Sequence, residues 1–151
     1  MTDRADLAEF DVVVVGSGFG GSAAANRLAL AGQRVLVPTY HCPTMISPMV
    51  RAGGEPLFFP VTTAGAPDLD RLEGTDLRNV RAMLVAHYFG LPQPMARVRA
   101  FCDARGIALI EDCAHAHGAK WRSRGAGTIG HFGSFSLQSS KTLTAGEGGI
   151  L

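Results

Sequence analysis

Short apolar runs alternate along the chain with segments that have a helical pattern. The runs predict strands, and they lie at about residues 10–15, 34–37, 55–61, 82–90, 107–112 and 133–137. Several of them have an uninterrupted apolar centre, such as residues 12–15, which is typical of strands that are covered on both faces. Strands that alternate with helices in this way predict an α/β fold, with a mostly parallel sheet and flanking helices.

Helical segments are expected between several of these strands. Residues 20–31 are rich in Ala and Leu, and Thr44 is expected to cap a short helix that ends at about Arg51. Pro94 is favourable at the start of a further helix, because its fixed φ suits the first helical turn. The buried face of that helix is expected to comprise Met95, Val98, Phe101 and Cys102. Residues 62–79 predict a surface connection with about one helical turn.

The composition excludes some classes of function. The chain has 151 residues, of which 46% are hydrophobic and 18% charged, as in an ordinary α/β domain. A net charge of +1 without a basic patch offers no surface for nucleic acid or an anionic membrane. We therefore expect a small-molecule site, with neither a nucleic-acid nor a membrane partner. The three cysteines lack metal-ligand spacing and the N-terminus lacks a signal-peptide pattern, so we expect no metal site and a reduced, cytoplasmic protein.

A glycine-rich turn follows the first predicted strand. Gly16, Gly18 and Gly21 form a G-x-G-x-x-G pattern between a strand and a helix, which is typical of nucleotide-binding β-α-β units. The acidic residue that would bind a ribose is missing, because Thr39 stands where it is expected. Three interpretations stay open: a dinucleotide site, a tight connection without a ligand, and a phosphate site at the helix N-terminus.

Polar residues with useful chemistry come directly after the later strands. Ligands of parallel α/β sheets bind beyond the carboxyl ends of the strands, which makes Asp112, His115 and Lys141 candidate site residues. Hydroxyl and glycine residues surround Lys141, and Ser136 is the nearest hydroxyl within the strand. An amine, a carboxylate and an imidazole beside such a turn are the groups that a pyridoxal phosphate site requires. Taken alone, Asp112 is also consistent with a helix cap or a turn.

The motifs around these residues are similar to those of a known family. From about residue 37 to residue 151, the segments "VPTYHCPTMISPMVRAGGEPLFFPV", "AHYFG", "IEDCAHAHGA" and "GTIGHFGSFSLQSSKTLTAGEGGIL" resemble the DegT/DnrJ/EryC1/StrS family of pyridoxal-phosphate-dependent sugar aminotransferases. The resemblance implies part of the large-domain sheet of fold-type I enzymes. It also implies amino transfer from an amino acid to a keto-sugar or similar carbonyl compound, by a homodimer with sites at the subunit interface.

The same resemblance assigns a role to each candidate site residue. It implies that Lys141 binds the cofactor covalently and transfers protons, and that Asp112 contacts the pyridine nitrogen. It implies that His115 stacks on the ring and that Ser136 binds the phosphate. His87, in "AHYFG", is equally consistent with a place in a pocket and with a place in the core.

The start of the chain resembles a different family. Residues 10–37, with "DVVVVGSGFGGSAAANRLALAG", are similar to the FAD-binding start of glucose-methanol-choline-type oxidoreductases. The two resemblances predict a Rossmann-like segment over residues 1–37 and a partial aminotransferase large domain over residues 38–151, in an incomplete or hybrid chain. The expected cofactor is pyridoxal 5′-phosphate, with FAD as the alternative. The alternative function is an FAD- or NAD(P)-binding oxidoreductase fragment or an inactive hybrid module.

Overall fold

The computed structural model describes residues 32–151, so the predicted elements before residue 32 lie outside the described residues. The strands are β1 (Arg34–Pro38), β2 (Glu55–Phe59), β3 (Val80–Ala86), β4 (Ala108–Asp112), β5 (Lys120–Trp121), β6 (Arg124–Gly125), β7 (Phe132–Ser136) and β8 (Gly149–Ile150). The helices are α1 (Pro43–Arg51) and α2 (Met95–Asp103), with 3-10 turns at Asp70–Leu72 and Tyr88–Gly90.

Six of these strands form one sheet in the order β2-β1-β3-β4-β7-β8, while β5 and β6 form a separate hairpin. Every neighbouring pair in the six-stranded sheet is parallel except β7 and β8, which are antiparallel. The predicted α/β fold with a mostly parallel sheet is therefore confirmed. Its parallel strands all have their carboxyl ends at one edge, where ligands of such sheets bind.

Helices cover both faces of the sheet. On one face Met83 and Val85 of β3 pack against α2, whose four predicted apolar residues are all buried. On the other face Ala82 and Leu84 belong to a second core cluster that includes Met49 of α1. Successive residues of β3 therefore enter opposite cores, which explains why this strand has no polar residue at its centre.

Two local predictions need correction. Thr44 does not cap α1, because the helix begins at Pro43, whose ring fixes a helical φ, and Cys42 occupies the cap position. The Thr44 hydroxyl lies 2.8 Å from the Cys42 sulfur instead. The connection over residues 62–79 does contain one helical turn, but it is not wholly at the surface. Leu69 and Leu72 at this turn are buried in the core cluster under α2.

A glycine contact fixes the start of β7. The backbone of Gly127, in the turn before β7, lies directly against Gly133, and a Cβ at Gly133 would overlap the Gly127 carbonyl. Gly127 itself has a φ of 85°, which a residue with a side chain rarely adopts. Its α-carbon also faces Phe135, whose ring leaves no room for a side chain at Gly127. The turn and β7 can approach this closely only because both positions are glycine.

All three cysteines are free thiols, with Cys42 exposed and the other two buried. Burial raises the pKa of Cys102 to about 12, and burial raises that of Cys113 as well, so both thiols stay protonated and unreactive at neutral pH. Within residues 32–151 there is no helix with the length and apolar character that crossing a bilayer demands.

Candidate active site

Two of the predicted site residues end neighbouring parallel strands. Asp112 is the last residue of β4 and pairs with Ser134 of β7, and Ser136 ends β7 two residues later. Side chains alternate along a strand, so all three project from the same face of the sheet. Ser136 is only 8% exposed. The Asp112 carboxylate and the buried Ser136 hydroxyl thus lie on one face of the sheet, at the carboxyl ends of neighbouring strands.

The Asp112 carboxylate is partly buried and accepts a hydrogen bond from the backbone. Its Oδ1 accepts a hydrogen bond of 2.9 Å from the Ala114 N–H. Burial raises the pKa of Asp112, while this hydrogen bond and smaller contributions from the His115 and Lys141 side chains lower it, with a net increase. The predicted imidazole follows Asp112 in the next turn, and the predicted amine follows in the loop after the neighbouring strand β7.

Asp112→Asn is expected to stabilise the ligand-free chain at neutral pH. A raised pKa in the folded state means that ionising Asp112 costs folding free energy. This cost is absent below the ordinary carboxyl pKa and fully present above the raised one. Urea unfolding at neutral pH should show a gain on the order of 1 kcal/mol, as is common when a functional group is removed.

The gain should vanish in acid, below the ordinary carboxyl pKa, where Asp112 is protonated in both states. Asp70→Asn is the matched control, because Asp70 is an exposed carboxylate at the surface. A loss of stability at neutral pH for Asp112→Asn would show that its attraction to the nearby cations outweighs its burial.

Lys141 lies in the loop that joins β7 to β8, and it is half-buried. Its backbone N–H donates to the Gln138 carbonyl at 2.9 Å. Leu137 closes the base of the loop, since its N–H donates to Gly148 and its carbonyl accepts from the Thr144 hydroxyl at 3.0 Å. These bonds hold the lysine close to the end of β7.

His115 is exposed in the turn after β4, and the 3-10 turn at Tyr88–Gly90 lies against it. The ring of Phe89 is nearly parallel to the imidazole, at an interplanar angle of 25° and a centroid distance of 6.4 Å. Phe89 is 75% exposed and has a φ of 55°, an uncommon conformation for a bulky residue. Gly90 follows, and a Cβ there would lie 3.1 Å from the His115 carbonyl oxygen. The turn therefore supports His115 by direct backbone packing.

Tyr88 links two strand ends at the same edge. Its hydroxyl donates to the Tyr40 carbonyl at 2.5 Å, and the two rings meet edge to face at 5.2 Å. Burial, with a smaller contribution from the Asp112 charge, raises the pKa of Tyr88, so its hydroxyl stays a donor. Tyr40 follows β1 and Tyr88 follows β3, so this contact fixes the two strand ends relative to each other.

Beneath this edge lies a buried, hydrogen-bonded pair of side chains that the sequence did not reveal. His87 Nε2 donates to Glu111 Oε2 at 2.8 Å, and neither side chain is exposed. His87 Nδ1 accepts from the Gln93 N–H at 3.1 Å. The Glu111 carboxylate also accepts from the backbone N–H groups of Gly127, Ile129 and Gly130.

The hydrogen bonds decide the charge of Glu111. Burial alone would raise the pKa of Glu111, but the bonds from His87 and the three backbone N–H groups lower it below its usual value. Glu111 is thus an ionised carboxylate inside the core. The open question about His87 is resolved in favour of the core. The only signal for the pair was a second carboxylate, Glu111, beside Asp112 at the end of the apolar run "IALI".

The fold is that of fold-type I aminotransferase structures. The aminotransferase TlmJ from Streptoalloteichus hindustanus matches with a TM-score of 0.81 and 27% identity, covering 92% of this chain and 39% of that one. An aminotransferase from Psychrobacter cryohalolentis matches with a TM-score of 0.79 and 30% identity, covering 91% of this chain and 36% of that one.

The chain belongs to the DegT/DnrJ/EryC1/StrS aminotransferase family, whose model matches residues 10–151. The L-glutamine:2-deoxy-scyllo-inosose aminotransferase of Streptomyces kanamyceticus is 36% identical over 79% of this chain and 28% of its own length. A UDP-N-acetyl-3-dehydro-alpha-D-glucosamine 3-aminotransferase from Acidithiobacillus ferrooxidans is 32% identical over 98% of this chain and 42% of its own length. The chain thus spans less than half the length of these relatives.

The family match also changes the interpretation of the N-terminal segment. It begins at residue 10 and therefore takes in residues 10–37, including Gly16, Gly18 and Gly21, which lie outside the described residues. The comparisons give no support to a resemblance with FAD-binding oxidoreductases or to FAD as a cofactor. The division into residues 1–37 and 38–151 stays a prediction.

Proposed function

We propose that this chain provides the cofactor-binding part of a pyridoxal-phosphate-dependent aminotransferase. In this proposal the enzyme transfers an amino group from an amino acid to a keto-sugar or a similar carbonyl compound. The observation that carries it is the placement of Asp112 and Ser136 at the carboxyl ends of neighbouring parallel strands, with Lys141 in the loop that follows Ser136. Family membership supports the reaction, and the names of the inosose and dehydro-glucosamine relatives support the substrate class.

The described residues fit pyridoxal phosphate. Asp112 offers a carboxylate whose Oδ1 is held by the Ala114 N–H, which leaves Oδ2 for the pyridine nitrogen. Ser136 Oγ makes one long contact, 3.4 Å from the Gln138 N–H, so its own proton is available for the phosphate. His115 presents an exposed, flat imidazole for the ring face, and Lys141 presents the amine.

Each side chain then has a distinct task. Pyridoxal phosphate, when bound, supplies a ring that accepts electrons from the bonds around the reacting amino group. Asp112 keeps the ring nitrogen protonated, and its partial burial strengthens that ion pair relative to one in water. Lys141 holds the cofactor through Nζ and, once released, moves the proton at the substrate carbon. Ser136 binds the phosphate.

The remaining expectations from the sequence belong to the same proposal. Gly16, Gly18 and Gly21 are proposed to line the phosphate site through a helix N-terminus, where backbone N–H groups favour an anion. The family resemblance favours a homodimer, and the composition favours a cytoplasmic enzyme. Gel filtration with and without pyridoxal phosphate would measure the oligomeric state.

Covalent attachment at Lys141 tests the proposal. Added pyridoxal phosphate is expected to give an absorbance band in the visible that borohydride removes, because reduction fixes the link between cofactor and amine. Peptide mapping should then place the pyridoxyl group on Lys141. Lys141→Arg should abolish the label while keeping the positive charge.

Lys120→Arg is the matched control, since Lys120 is the other lysine of the chain and lies in the β5–β6 hairpin. It should label like the parent. Labelling of Lys120 alone, or equal labelling in Lys141→Arg, would contradict the proposed function.

A further inference from the structure

We infer that the His87–Glu111 pair positions Asp112 against the ring nitrogen of the cofactor, although neither side chain touches that site. This inference rests on the proposed function. It assigns the pair a role as positioning residues, which act through the strands that carry the site residues.

The pair lies under the residue that it is inferred to position. Glu111 directly precedes Asp112 in β4, and the alternation of a strand sends the two carboxylates to opposite faces. The His87 backbone N–H donates to the Asp112 carbonyl at 3.0 Å. Both members of the pair are thus joined through the backbone to Asp112, one by a peptide bond and the other by a hydrogen bond.

Glu111 also fixes the neighbouring strand. Its carboxylate accepts N–H groups from the turn over residues 127–130, and that turn packs against the start of β7 through Gly127 and Gly133. Directly beside Asp112, the Cys113 N–H donates to the Ser134 carbonyl at 2.8 Å. A displacement of the Glu111 carboxylate would therefore shift β7 at the point where it pairs with Asp112.

His87 extends the same link to a third segment. Its Nδ1 accepts the Gln93 N–H, so the ring spans the residues just before α2 and the Glu111 carboxylate. With Nδ1 as an acceptor, the ring proton lies on Nε2, where it is donated to Glu111. Every polar side-chain atom of the pair has a hydrogen-bond partner, so the two side chains fit together in only one arrangement. Because both are fully buried, each of these hydrogen bonds is stronger than it would be in water.

A metal site is the competing interpretation of the same cluster. Ligand atoms of His87, Glu111 and Cys113 all lie within 4.8 Å of one another. Both Glu111 oxygens and His87 Nδ1 already accept N–H protons, however, and the Cys113 thiol is kept protonated by burial. The donors present thus satisfy the carboxylate without a cation.

The test compares two ligands that differ at one ring atom. Pyridoxal phosphate and its 1-deaza analogue, which has carbon in place of the ring nitrogen, are titrated against the parent and each variant. The parent should prefer pyridoxal phosphate by about tenfold or more, as expected for a hydrogen bond between charged groups. Asp112→Ala, which leaves no side-chain group to pair with the ring nitrogen, should remove this preference, and this loss would show that the preference reports on the contact of Asp112 with the nitrogen.

Glu111→Gln should lose most of the preference with Asp112 still present. The amide has one acceptor oxygen, so two of the four donors around Glu111 would face an NH₂ group. Affinity for the deaza analogue should fall much less. A merely structural role would weaken both ligands equally and keep their ratio.

His87 provides a milder pair of variants if Glu111→Gln does not fold. His87→Leu removes one donor and leaves the three backbone N–H groups on Glu111, and it should lose the preference. His87→Gln can still donate to Glu111 from its amide and should retain most of it. Ile107→Ala is the control for lost stability, because it removes a buried side chain just before the opposite end of β4; it should keep the full preference.

The outcomes separate the inference from the proposed function. A parent that does not distinguish the two ligands would refute the role of Asp112, and the inference with it. A parent with the preference, together with Glu111→Gln or His87→Leu variants that retain it, would overturn the inference alone. Loss of the preference in Ile107→Ala would also overturn it, because any destabilisation of the sheet would then have the same effect. Zinc that stabilised the parent but not Glu111→Gln would favour the metal site instead.

Discussion

Asp112→Asn is expected to slow the reaction of the cofactor-loaded chain with an amino acid by about 100-fold or more, the range observed when an electrostatic catalytic group is removed. An amide cannot hold the ring nitrogen protonated. The ring therefore accepts electrons poorly when the C–H bond at the α-carbon of the amino acid breaks. The change in cofactor absorbance with excess glutamine or glutamate measures the rate in a single turnover. Binding of the cofactor through Lys141 should remain.

Asp103→Asn provides the control, because Asp103 is an exposed carboxylate at the end of α2, where it pairs with Arg99. It should react at the parental rate. If the Asp112→Asn variant reacts as fast as the parent, Asp112 only stabilises the turn, through the hydrogen bond that it accepts from the Ala114 N–H. Because the same substitution is expected to stabilise the ligand-free chain, the two measurements together would show a site that lowers stability in favour of activity.

Gly133→Ala is expected to prevent β7 from pairing with β4. The added methyl group would overlap the carbonyl and α-carbon of Gly127, which are backbone atoms and cannot rotate away. Overpacking against side chains costs about 1–3 kcal/mol, and a clash with backbone should exceed that range. Since small domains have total stabilities of about 5–15 kcal/mol, urea or thermal unfolding should show a severe loss.

Gly125→Ala is the matched glycine control in the turn region before β7. A Cβ at Gly125 would meet only the Thr128 methyl group, at an ordinary contact distance of 3.8 Å. Its stability should lie within about 0.5 kcal/mol of the parent. A Gly133→Ala variant with parental stability would mean that the turn over residues 127–130 can move away from β7 at little cost.

The fold was predictable where a local pattern was sufficient. The centre of β3 and the first three residues of β4 are apolar on both faces because each face enters a separate core, and the buried face of α2 follows helical spacing. β8 has two residues and gives no pattern of its own; it exists because it pairs with the end of β7. Thr44 was wrongly predicted as a cap because the preference for hydroxyls at caps competed with the proline at the first helical position.

The candidate site was predictable only in its outline. The rule that ligands lie beyond strand ends supplied Asp112, His115 and Lys141 as candidates, and the motif resemblance supplied their roles and that of Ser136. The bond between His87 and Glu111 joins segments that are distant in sequence, and such a pairing leaves no periodic signal. The left-handed conformation of Phe89 is equally invisible, because the surrounding "HYFG" would permit several turns.

The parallel pairing of β4 with β7 also has a consequence for the order in which the molecule matures. Within the described part of the chain, β1 to β4 leave the ribosome before β7, and domains begin to fold during synthesis. Until β7 arrives, Asp112 lies on an open sheet edge without its neighbouring hydroxyl, and Lys141 has no loop to hold it. Parallel pairing between distant segments forms slowly, because chain closure precedes the contacts that stabilise it. We therefore expect newly made chains to gain affinity for the cofactor only once β7 has paired with β4, so that cofactor capture distinguishes chains with a folded β7 from chains that have not yet reached that stage.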